Sequence, residues 1–184
     1  MEVRILTDLT VEPVTLTEVK DQLAIDYDTD DDQLSSMIKA ARQYCEEYTQ
    51  KAFGAKTVDV YFDAEDTDFE LPIGPFISLT SITRTVNGSN TTLTTSDYLV
   101  YGRDYPRYQF NKVWTTCGVS PAYHTVVYQA GYADGACPEP IKQAIVKLTA
   151  ELYENKENSV SGTIIGLVPN HVRSLLSPYR RNVL

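Results

Sequence analysis

The chain has 184 residues, of which 42% are hydrophobic and 22% charged, a balance that suits one folded domain and excludes wholesale disorder. Its net charge of -9 is uneven: residues 1–70 hold 18 acidic and 6 basic side chains, a net of -12, and residues 71–184 hold 7 and 10, a net of +3. Such a balance disfavours gripping nucleic acid, which needs a basic surface to neutralise phosphates, and suits either solubility or a wall past which DNA slides without sticking. No apolar run reaches the roughly 18 residues of a membrane span, and MEVRILTDLT lacks the basic flank and apolar stretch of a signal peptide. Cys45, Cys117 and Cys137 are odd in number and scattered, which fits free thiols in a reducing cytosol.

Thr15-Leu-Thr-Glu18 has capping-box spacing and opens a first helix, with Leu16, Val19 and Leu23 at helical intervals. The acidic stretch DYDTDDDQ (26–33) follows, and Leu34, Met37, Ile38, Ala41, Cys45 and Tyr48 then mark one face of a longer helix. Its end is expected before Gly54, a left-handed stop. From Lys56 to about Tyr132 the helical period disappears. VDVYF (58–62), ISLTSITRTV (77–86), TTLTT (91–95), DYLVY (97–101), RYQF (107–110) and HTVVYQAG (124–131) read as strands. Asn87-Gly88 is a hairpin turn signal, and Pro72, Gly74 and Pro75 break the chain ahead of the second strand. Helical period returns after Pro138-Glu139-Pro140, where Ile141, Ala144, Ile145, Leu148 and Leu152 form the inward stripe. The loop 155–170 follows, then a short helix with His171, Val172, Leu175 and Leu176 that stops at Pro178. The expected fold is α+β in one domain, 1–184. A body of about four helices (15–54 and 138–178) carries an inserted antiparallel β module of about six short strands (56–132), and a tail spans 179–184.

The aspartates pose the sharpest chemical question. With Asp26 at position 1 of a calcium loop, Asp28 and Asp30 fill positions 3 and 5. The glycine demanded at position 6 is Asp31, however, and the bidentate glutamate at position 12 is Met37. A helix start explains the cluster better. Asp30 is placed as N-cap with Gln33 three residues on, and Asp31 and Asp32 lie in the dipole-favoured first turn. Asp26 and Asp28 need only solvent.

No paired cysteine or histidine spacing suggests zinc, and His124 reads as a strand-edge residue. Serine-elbow and phosphate-loop motifs are missing too. No enzyme, metal or cofactor is therefore expected. Thirteen tyrosines, among them Tyr98, Tyr101, Tyr105, Tyr108, Tyr128 and Tyr132, suit either wet sheet edges or a subunit interface.

The order of segments carries a resemblance. LTEVKDQLAIDYDTDDDQLSSMIKAARQYCEEYTQKAF, LPIGPFISLTSIT, VVYQAGYADGACPEPIKQAIVKLTAELYENKE and LLSPYRR together resemble the small head–tail connector, or adaptor, proteins of tailed bacteriophages and prophages. The likeness covers most of the chain and is weakest over 85–123. It implies a structural virion protein at the head–tail junction, assembled in the bacterial cytoplasm. Such a protein forms a ring, expected to be twelvefold, under the portal protein. The ring extends the DNA channel and docks the next neck, stopper or tail-completion protein, without sequence-specific DNA binding. The resemblance maps the portal-facing segment onto the last helix and Ser177–Leu184, so Arg173, Tyr179, Arg180 and Arg181 are candidates for an acidic portal surface; a frayed terminus is the bland alternative. Ile164, Ile165, Leu167 and Val168 are candidates for packing on a neighbour or the portal, or else for folding back on their own helices. The competing function is a soluble acidic binding module that holds a cation in Asp26, Asp28, Asp30, Asp31 and Asp32, or a ligand on its sheet.

Overall fold

The computed structural model describes residues 2–63, 68–103, 110–115, 122–154 and 170–181. Helix α1 (Leu16–Leu23) begins as its capping box predicts. The Glu18 N–H donates to Thr15 Oγ1 at 3.2 Å, and the Thr15 N–H donates back to Glu18 Oε2 at 2.6 Å. Helix α2 runs Asp31–Thr49 and stops four residues short of the expected glycine. Gln50 takes the left-handed turn (φ 57°), its N–H bonds the Glu46 carbonyl, and its side chain donates to the Glu47 carbonyl at 2.9 Å. Those bonds replace what glycine would have supplied through conformational freedom.

Helices α3 (Glu139–Glu154) and α4 (Asn170–Leu176), with a closing 3-10 turn Ser177–Tyr179, complete the helical body. Val19, Leu34, Ile38, Ala41, Cys45, Ile141, Ala144, Ile145, Leu148, Val172 and Leu176 form its core, which is the stripe read from helical spacing. Leu152 departs from it: the residue is 39% exposed, and Tyr153 packs on the core in its place.

The β region is a sandwich of two sheets. One holds β1 (Glu2–Thr7), β2 (Lys56–Asp63), β8 (Ala122–Ala130), β4 (Phe76–Val86) and β5 (Ser89–Thr92), adjacent in that order and all antiparallel. The other holds β3 (Asp68–Glu70), β7 (Phe110–Thr115) and β6 (Tyr98–Arg103). Asn87 (φ 49°) and Gly88 (φ 78°) make the β4–β5 turn where the hairpin signal put it. Of TTLTT only Thr91 and Thr92 pair, and of RYQF only Phe110 lies among the described residues, at the start of β7. Strand β1 was not expected, nor was the three-residue β3.

Pairing of Val58 with Tyr128, Val60 with Val126 and Phe62 with His124 aligns one face of β2 and β8. Val113, Tyr98 and Val100 of the second sheet close over it. His124 is thus corrected: it lies on the central strand of five and is fully buried. Burial, with the Arg84 charge, holds its imidazole below the usual range. Tyr128 is buried on the same face of β8, its hydroxyl both donating to the Ile73 carbonyl and accepting from the Ile73 N–H at 3.1 Å.

Backbone contacts join the two bodies. The Ala52 N–H donates to the Gly74 carbonyl at 2.8 Å and the Gly131 N–H to the Pro75 carbonyl at 2.7 Å. Gly131 has φ +123°, and a Cβ there would stand 1.9 Å from the Gly54 oxygen, so only glycine permits this approach.

Candidate functional site

Three clusters of charge stand out among the described residues. The first lies at the junction of helices and sheet. Arg42 of α2 is fully buried and donates to Glu12 (2.8 Å), Asp8 (3.1 Å) and Glu46 (2.7 Å). Lys56, at the start of β2 and 5% exposed, bonds Asp8 at 2.9 Å and Glu46 at 2.7 Å. The other Glu46 oxygen accepts from the Phe53 N–H at 2.8 Å. Burial works to raise the Asp8 pKa, but hydrogen bonds from Lys56 and the Leu9 N–H, with the Lys56 and Arg42 charges, bring it down to about 2. Asp8 follows β1 directly, so the cluster fixes where that strand sits against the helical body.

The second cluster is the acidic corner between α1 and α2. Lys20 reaches Asp28 at 2.7 Å and Asp31 at 2.9 Å, and its hydrogen bonds hold the Asp28 carboxyl below the usual range. Asp30 does stand at the N-cap position, but its side chain makes no capping bond. It accepts instead from the Tyr153 hydroxyl, which also lies 3.1 Å from the Tyr27 hydroxyl. The expected Asp30–Gln33 capping box is therefore replaced by a tertiary tie to α3. Asp26 and Asp32 are exposed. No group of three or more His, Cys, Asp or Glu among the described residues is arranged to hold a metal ion; here a lysine ammonium supplies the positive charge between two of the carboxylates.

The third is the C-terminal arm. The Arg181 N–H bonds the Thr49 carbonyl at 3.0 Å, and its guanidinium bonds Glu70 and the Pro72 carbonyl. That residue latches the arm to the sheet region. Tyr179 packs on the helical core, Arg173 is half-buried on α4, and Arg180 is exposed, its guanidinium 5.3 Å from the Tyr48 ring centre. Of the three candidate cations here, Arg173, Arg180 and Arg181, Arg180 is the one turned to solvent. Ile164, Ile165, Leu167 and Val168 lie outside the described residues, as do Tyr105, Tyr108 and Cys117. Cys45 and Cys137 are free and buried, and burial pushes both thiols up to about 12.

The sequence reading missed the Arg42 cluster and strand β1. The Arg42/Glu46 spacing of four on a helix was the available signal for the first, and the alternation Val3-Arg4-Ile5 for the second. No helix among the described residues is long and apolar enough to cross a membrane.

The fold has close relatives among solved structures. A chain in the neck of an empty gene transfer agent (GTA) particle, determined with C6 symmetry, superposes with a TM-score of 0.80 at 18% identity. A chain of the native GTA virion gives 0.76 at 19%, and one in the native GTA neck, determined with C12 symmetry, gives 0.76 at 21%. Each likeness covers 100% of this chain and 97% of the other. No curated protein matches in sequence. The model of one family, described as head completion protein, matches residues 12–182. That span takes in every helix and every strand except β1, and the chain belongs to the head completion protein family, a structural family of the head–tail connector.

Proposed function

We propose that this protein is a ring-forming component of a virion neck. Twelve copies sit beneath the portal vertex, extend the channel through which the genome leaves, and offer their far side to the next neck or tail protein. The observation that carries the reading is the family match over 12–182. The fold shared with neck chains determined under sixfold and twelvefold symmetry supports the ring. The acidic balance supports a channel that DNA passes without adhering. Assembly takes place in the host cytoplasm, and the mature location is the head–tail junction.

Within this reading the C-terminal arm faces the portal, with Arg180 as its exposed cation and Arg173, Tyr179 and Arg181 setting its shape. Ile164, Ile165, Leu167 and Val168 pack on a neighbour or on the portal. Arg180→Glu should weaken binding to purified portal rings without changing the melting temperature; unchanged binding removes Arg180 from the interface. Replacing the four apolar residues by serine should block association and leave the monomer folded. A lowered melting temperature would instead place them in their own subunit's core. The function as a whole is tested in particles: disrupting the gene should yield separate heads and tails, and normal joined particles would exclude a connector role.

A further inference from the structure

The sheet that holds β1 is five strands wide and the one that holds β3 only three, and the mismatch leaves the outer strands of the wider sheet open. Val3 and Ile5 of β1 pair with Val60 and Val58, so their side chains lie on the core face. Val58 and Val60 are fully buried, yet Val3 is 39% and Ile5 49% exposed. Ile5 also lines an open groove of about 440 Å³, together with Ala52 and Ile73. Outside β1 no strand continues the sheet among the described residues, and β5 is the equally open opposite edge, all four of its residues exposed.

We propose that β1 of one subunit pairs with β5 of the next copy, so that the sheets join around the ring. This deepens the ring reading and rests on it. Direction permits the contact. Four successive antiparallel pairings separate β1 from β5, so the two run the same way, and rotation about a ring axis brings them together as a parallel pair. A ring requires two different, complementary surfaces. The two edges differ as a ring needs: β1 presents the uncovered Val3 and Ile5 beside Glu2 and Arg4, whereas β5 is the uncharged stretch Ser89–Thr92. The neighbour's three-stranded sheet then covers Val3 and Ile5, continuing the core across the joint. Five strands at a spacing of roughly 4.8 Å span roughly 24 Å, so twelve copies close a belt of radius roughly 46 Å, with room inside for helices and a channel.

The test uses the full chain in a Cys117→Ser background with Val3→Cys, Asn90→Cys, or both, mixed with portal rings and treated with a short bismaleimide. Buried Cys45 and Cys137 stay unreactive. The double variant should give a ladder beyond dimer, and each single variant only monomer. Rings seen by native mass spectrometry without that ladder would overturn the β1–β5 contact and leave the ring reading intact. Dimers from Val3→Cys alone would overturn it in favour of a two-fold edge. If no ring forms at all, the ring reading falls, and this contact with it.

Discussion

Arg42→Met tests the claim that a buried charge cluster fixes the sheet on the helical body. Methionine keeps the length and removes the guanidinium, so three charge-assisted bonds are lost. At about 1.5–3 kcal/mol each their sum would be about 5–9 kcal/mol, but two features lower it. Lys56 still bonds Asp8 and Glu46, and the Asp8 and Glu12 side chains are 37% and 32% exposed, so both regain water. Glu46, 10% exposed, suffers most. The loss should therefore fall near the low end of the range for breaking a buried pair, about 3 kcal/mol. For a chain of this length that is a drop of roughly 6–12 °C in Tm. Urea unfolding followed by circular dichroism measures it, and the m-value shows whether two-state behaviour survives. Adding Glu46→Gln to Arg42→Met should restore part of the loss, since it removes the carboxylate left most buried without the guanidinium. A loss below about 1 kcal/mol for Arg42→Met, or no recovery in the double variant, would refute the reasoning.

The remaining expectations are briefer. The Asp8 carboxyl is held at about 2 against an ordinary 3.8, so its contribution is full above the unfolded value and is lost as pH falls through the folded one. Asp8→Asn should flatten the stability profile between those two values, and an unchanged acid limb would show that Asp8 is not a cause. Tyr153→Phe removes the tie to Asp30 and should cost about 1–2 kcal/mol; a neutral result would return that corner to solvent. Cys45 and Cys137 should resist a maleimide in the native state and react in urea, and rapid native labelling of either would contradict their burial. Gly131→Ala should abolish folding or cost several kcal/mol, because its Cβ has no room beside the Gly54 carbonyl.

What the sequence disclosed divides along a physical line. Local signals were legible: the Thr15–Glu18 box, the stripe from Leu34 to Cys45, the Asn87-Gly88 turn, and the order of segments that carried the family resemblance. Signals that depend on distant partners were not. Asp30 looks like a cap because Gln33 follows at the right spacing, but Tyr153, 123 residues away, offers its hydroxyl to the same carboxylate. Arg181 reads as part of a basic tail until the fold brings Glu70 beside it. His124 carries a polar side chain on a strand, and only the strand order β2-β8-β4 shows that it is central. Strand β1 escaped because all six of its residues are exposed, so no buried face imposes a clean alternation. Its missing cover is also what makes it a candidate for contact with a neighbour.

The central claim, a ring beneath a portal, is reached most directly by mixing the purified full chain with portal rings and recording native mass and negative-stain class averages. The account predicts a portal assembly heavier by twelve subunits, with an added annulus on one face. Portal rings of unchanged mass beside free monomer would contradict it.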